Sequence, residues 1–180
     1  ADAFIYSLYA DLISGRVNEA VLGQVLEAAQ VYPDDRARIV TAWRAVPRAD
    51  PVRRIFIHLD RLTPPAYFAR YGPRVVPIFN YFQAALVLLA DGELTAAQVA
   101  RVAVEMVQTA GHNLLTLSNS FQDLVRRGLP LQAVAAPLLQ ALEGALQGPD
   151  KVLQAFRPLP DIVKAFTRRI AALGAPPPPP

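Results

Sequence analysis

The sequence predicts an all-α protein. Three observations carry this: apolar residues recur at three- and four-residue spacing through almost every segment, proline and glycine punctuate those segments, and none shows the alternation of a half-buried strand. No internal repeat of fixed period is present.

Asp2 suits the cap of a first helix that ends at Gly15, with Phe4, Leu8 and Leu12 on one stripe. A second helix, 17–31, repeats Val21, Leu22, Val25, Leu26 and Ala29. Pro33 closes it and opens the third, 34–46, where Asp34 and Asp35 oppose the helix dipole and Ile39, Ala42, Trp43 and Val46 form the face to be buried. Asp50-Pro51 reads as an N-cap followed by a first helical residue. It opens a fourth helix, to Leu62, with Val52, Ile55, Phe56, Leu59 and Leu62 on its apolar face. The opposite side of that helix carries Arg54, His58 and Arg61 as one stripe. Thr63-Pro64-Pro65 and Gly72-Pro73 are corners on either side of a short aromatic turn of helix, 66–71.

From Arg74 one long helix is expected to reach Ala90, with Asp91-Gly92 as the turn. Thr95 caps the next helix, which carries Val99, Val102, Val104 and Val107 and breaks at Gly111. Leu114, Leu117, Phe121, Leu124 and Val125 continue to Arg126-Arg127-Gly128, where cations in the last turn and a glycine beyond it mark a helix end. Further helices follow at 130–147 and 161–173, the latter with Lys164 and Arg168 on one face. Ala175 and five closing prolines favour the polyproline form, and such a tail is expected to be held in a neighbouring subunit's groove or a lattice. The expected organisation is a proline-segmented helical arm, 1–73, a four-helix-like bundle, 74–173, and an extended tail, 174–180.

The chain of 180 residues is long enough for one core plus extended arms. With 53% apolar and only 18% charged residues, it has more apolar surface than a lone monomer hides easily, which favours burial against other copies or partners. The absence of cysteine excludes disulfides, thiolate nucleophiles and Cys-ligated metals. The single methionine and seventeen prolines suit a hot habitat, and equally a GC-rich genome. Asp2 and Asp11 stand where a signal peptide would be basic, and the apolar run 75–90 is shorter than the ~20 residues of a membrane span.

Charge is the most uneven property. The window 34–74 holds nine of the sixteen arginines, namely Arg36, Arg38, Arg44, Arg48, Arg53, Arg54, Arg61, Arg70 and Arg74, against the four acids Asp34, Asp35, Asp50 and Asp60. That is a surplus of five, while the rest of the chain has nine basic residues against eleven acids. Lysine occurs only at 151 and 164, so the positive charge is almost all guanidinium, which forks onto phosphate with paired hydrogen bonds. The window is either a solvated face paired with local acids or a lining for nucleic acid. Short helices with fixed corners can bend around a cylinder, and together with the arginine excess this favours nucleic acid. The candidate contacts are those nine arginines and His58.

No zinc-finger spacing, basic zipper or RNA-binding aromatic motif is present, so such contacts would be to phosphate and insensitive to sequence. His58 and His112 are too far apart in sequence to argue for a metal site. Ser118, Ser120 and Asp123 lie near His112 but without a nucleophile elbow, and no phosphate-binding glycine loop occurs. The chain is therefore expected to be neither an enzyme nor a holder of cofactor or metal. Tyr67, Phe68, Tyr71, Phe79, Tyr81 and Phe82 form the densest aromatic cluster, which suits packing better than base stacking.

The proline-broken arginine-rich segment, the apolar helical remainder, the lack of cysteine and the proline tail resemble the major capsid proteins of filamentous and rod-shaped viruses of hyperthermophilic archaea. In that family helical subunits pair, as homodimers or as two related chains, and wrap double-stranded DNA held in the A-form. Some of those virions carry a membrane envelope. The resemblance implies a structural virion protein that polymerises into a helical filament, with duplex DNA and other capsid subunits as partners. The formal charge of only +3 leaves neutralisation to the arginine window or to a partner subunit. The alternative is a helical scaffold that self-associates without nucleic acid. Membrane-surface binding is disfavoured because the arginines are interspersed with acids.

Overall fold

Two short runs of β-branched and aromatic residues depart from the helical expectation. In the computed structural model, which describes residues 2–60, 62–146 and 168, Ile55–His58 and Val75–Ile78 are strands, β1 and β2. They pair in parallel, Ile55 opposite Val75 and His58 opposite Ile78. Backbone bonds Ile55 N to Arg74 O (2.9 Å) and Leu59 N to Ile78 O (2.8 Å) flank the ladder. Ile, Val and Phe fit a pleated surface, and Pro77 is tolerated because a two-stranded sheet has an open edge on each strand. The helix expected over 51–62 is therefore absent. Its supposed apolar face is split, with Ile55 and Leu59 buried while Leu62 is 90% exposed. The long helix expected from Arg74 is likewise divided into β2 and a later helix.

The remaining elements are mostly helical. The chain divides into two compact units, Ala1–Ile78 and Phe79–Pro180. In the first, α1 (Asp2–Ser14), α2 (Glu19–Ala28) and α3 (Pro33–Ala45) precede β1, and a 3-10 helix, Pro65–Tyr71, joins β1 to β2. Asn18 caps α2 by accepting from Val21 N at 3.1 Å. Residues 1–73, expected as a segmented arm, thus fold with β2 around a small core of their own. That core gathers Ala3, Ala10, Ile55, Leu59, Phe68 and Val75. Here α1 packs on β1 and on the 3-10 helix through small side chains rather than the expected stripe: Ala3 and Ala10 are buried while Phe4 is 44% exposed. Helix α3 buries none of its residues, although Trp43 donates its indole N–H to Leu12 O at 3.0 Å.

In the second unit α4 (Tyr81–Ala90) packs on α5 (Ala96–Thr109), α6 (Leu114–Arg126) and α7 (Gln132–Leu146), and α5 packs on α7. Phe82, Leu86, Val99, Leu117, Phe121, Leu124, Leu131 and Leu138 are fully buried. The starts are fixed by side-chain caps: Asn80 for α4, a reciprocal Thr95–Gln98 capping box for α5, and Asn113 for α6. Gly111 (φ +66°) and Gly128 (φ +86°) follow the ends of α5 and α6, in the left-handed region that glycine alone enters without cost. The expected helix 161–173, apart from position 168, and the tail 174–180 lie outside the described residues. Among the described residues no helix is long and apolar enough to cross a membrane.

Candidate nucleic-acid interface

The arginines of the window are not one surface. Several are held by acids of α2 and α3. Arg44 forks onto Glu19, Nε to Oε2 at 2.7 Å and Nη2 to Oε1 at 2.5 Å, tying α3 to the start of α2. That hydrogen bond holds the Glu19 carboxyl below the usual glutamate range and raises Arg44 in turn. Arg38 pairs with Asp35 at 2.6 Å along α3, and Arg36 lies 3.9 Å from Glu27. Arg48 stacks over the Trp43 ring at 3.9 Å and donates to Leu12 O at 3.2 Å. Arg70 lies over the Tyr67 ring at 3.8 Å and donates to Tyr67 O at 3.0 Å. These five guanidiniums therefore have tasks within the first unit.

Arg53, Arg54 and Arg74 come together in one place. They line one open concavity of about 360 Å³ in the first unit, together with Arg16. The segment ahead of β1 brings Arg53 and Arg54, the turn at Gly72-Pro73 ahead of β2 brings Arg74, and α1 with its following loop brings Ser7, Asp11 and Arg16. The parallel pairing of β1 and β2 sets the approaches to both strands side by side, so residues twenty apart in sequence meet at one rim. Gly72 makes that turn at φ +80°, where a side chain would be strained.

Asp50 organises the cationic wall. Its carboxylate accepts from Arg16 Nη2 at 2.6 Å and from Arg74 Nη2 at 2.9 and 3.0 Å. Arg16 also lies 3.9 Å from Asp11, and Arg54 donates to Pro73 O at 2.9 Å. The Arg74 side chain is only 15% exposed; its Nη1 and the Ser7 hydroxyl are buried without a hydrogen-bond partner. Partial burial, then a hydrogen bond with Tyr67, pushes the Tyr71 phenol up, so it stays a neutral hydroxyl at this rim. Four guanidiniums around a hollow, against Asp11 in its lining and Asp50 paired with Arg16 and Arg74, form an environment for an oxyanion.

The expected helical stripe of Arg54, His58 and Arg61 does not form. Arg54 lines the concavity, His58 ends β1 outside it, and Arg61 lies outside the described residues. Arg16 was missed by the sequence reading. It sits outside the window, and only its pairing with Asp50, 34 residues away, places it.

Ser120 Oγ donates to Thr116 O at 2.9 Å and accepts from Asn80 Nδ2 at 2.7 Å, while Asp123 is engaged by Gln83 and Arg127. Among the described residues no three His, Cys, Asp or Glu side chains are grouped to hold a metal. Compared with known proteins, the chain matches no protein-family model, no curated protein and no solved structure.

Proposed function

We propose that this chain is a structural virion protein of the kind found in filamentous and rod-shaped archaeal viruses. Its subunits polymerise into a helical filament around double-stranded DNA, contacting phosphate without regard to base sequence. The observation that carries the DNA part is the gathering of Arg16, Arg53, Arg54 and Arg74 around one concavity. In this reading the first unit meets phosphate there. The helices from α4 onward form a bundle that makes contacts between subunits, and the proline tail seats against a neighbour. Repetition of subunits, rather than the charge of any one, neutralises a duplex that carries about one charge per 1.7 Å.

A mobility-shift titration of duplex DNA tests it. Binding should weaken steeply as salt rises and drop when Arg53 and Arg54 are replaced together by glutamine. Binding indifferent to salt and to that replacement would sink the DNA role, and electron microscopy should show filaments in samples that bind.

A scaffold that self-associates without nucleic acid is the second reading. It is favoured by α1, which leaves Phe4, Ile5, Tyr6 and Tyr9 exposed on a helix with little charge. The ratio of absorbance at 260 and 280 nm of purified material separates the two readings: a protein-like ratio together with self-association selects the scaffold.

A further inference from the structure

The concavity is open on one side, but its lining is fixed in place. Its walls come from α1, the loop after it, the approach to β1 and the turn ahead of β2, and all are tied to the core of the first unit. Asp50 holds Arg16 and Arg74 in one place although they come from positions 34 residues before it and 24 residues after it. Pre-placed guanidiniums lose less freedom when an anion arrives, which is what separates a site from a diffuse cationic field. Arg74 Nη1 and Ser7 Oγ are buried beside the concavity without a hydrogen-bond partner. The hollow is also at the small end of the range of ligand pockets, roughly 300–1,000 Å³.

We infer that the concavity is a discrete site for a single phosphate group, held by Arg16, Arg53, Arg54 and Arg74, that fills without a polymer behind it. The inference rests on the phosphate reading above but makes a separate claim, because a coat needs only averaged charge. The shared chemistry is a tetrahedral oxyanion with several acceptor oxygens. Its source is either a phosphodiester of nucleic acid or a free or terminal phosphate.

The test titrates the full chain with inorganic phosphate at constant ionic strength, balanced with chloride, and follows the arginine Nε–Hε signals by NMR. Saturable shifts are expected, absent with chloride alone. Arg16→Gln and Arg53→Gln should each weaken the phosphate midpoint about tenfold, the scale of a charge-assisted hydrogen bond. Arg53→Lys keeps the charge but loses the fork, and should also weaken it. Arg38→Gln, on α3 and outside the concavity, should leave it unchanged. Shifts that do not saturate, or an Arg38→Gln loss equal to that of Arg16→Gln, overturn the site.

Competition assigns the source. Displacement of inorganic phosphate by a short duplex without terminal phosphates supports a diester site. Displacement only by a duplex carrying terminal phosphates supports a monoester site. The two readings fail separately: salt-sensitive duplex binding without saturable phosphate binding removes the site, whereas saturable phosphate binding without duplex binding removes the coat.

Discussion

Gln83 shows how single residues hold this molecule together. Its side chain is fully buried in the second unit, where an uncapped amide would be costly. Nε2 donates to Ser120 O at 3.1 Å and to Asp123 Oδ2 at 2.8 Å, and Oε1 accepts from Phe79 N at 2.7 Å. Two bonds to α6 and one to the residue ahead of Asn80, all from one buried amide, make the residue a fastener between α4 and α6. Gln83→Ala should lower the free energy of unfolding by roughly 2–4 kcal/mol, combining a cavity with partners left unpaired. Denaturant titration measures it, and a loss well under this range would mean that water replaces the amide. In the first unit the comparable fasteners are carboxylates on the surface. Glu19 is held below the ordinary range by Arg44, and Asp60 chiefly by the Thr63 backbone N–H at 2.7 Å and its hydroxyl, then by Leu62 N at 3.0 Å. A lowered folded value means that their contribution is complete above the ordinary carboxylate range. It is lost as the pH falls through that range to the lowered values. Stability should therefore decline on acidification there, with a shallower decline in Glu19→Gln. The effect should be small, because these groups are exposed to water.

At the scale of elements, α7 contains a proline six residues into the helix, exposed at position 137. Proline in a helix interior removes one backbone bond and crowds the carbonyl four residues back. Pro137→Ala should raise stability by roughly 1–3 kcal/mol, read from the denaturation midpoint, unless the ring packs against a partner subunit. Helices such as α5 were legible because their signals are local: Thr95 and Gln98 cap each other within one turn. The strands were not legible. Ile55–His58 and Val75–Ile78 are four residues each, too short for periodicity to separate strand from helix, and their pairing joins positions twenty apart. One local clue was available, since Asn80 followed by Gln83 is a helix-start signature that should have divided the apolar run 75–90. For the candidate site, Arg53, Arg54 and Arg74 were visible as an arginine excess. Arg16 was not, because no nearby residue marks it and only the fold brings it to Asp50.

Across the whole molecule, the division into units changes the meaning of the charge. The window 34–74 has five more cations than acids, but the first unit, 1–78, has only two more: ten arginines against eight acids. The acids outside the window are Asp2, Asp11, Glu19 and Glu27, and the last three lie against Arg16, Arg44 and Arg36 respectively. An arginine paired with an acid inside the protein must give up that pairing to neutralise a phosphate, so it adds little to the release of counterions. If all nine window arginines reached phosphate, the affinity for duplex DNA would fall with a log–log salt slope of about −8 per subunit. If the concavity alone serves, four guanidiniums set a ceiling of about −4, and the pairing of Arg16 and Arg74 with Asp50 brings the slope toward about −2. The smaller value is expected, measured by filter binding on DNA short enough to hold a single assembly unit and divided by the subunits bound. Arg38→Gln and Arg44→Gln should leave it unchanged, whereas Arg53→Gln should make it shallower by about one. A slope near −8 would mean that the intrachain pairs open on DNA, and that the arginines act as a continuous lining rather than through one concavity.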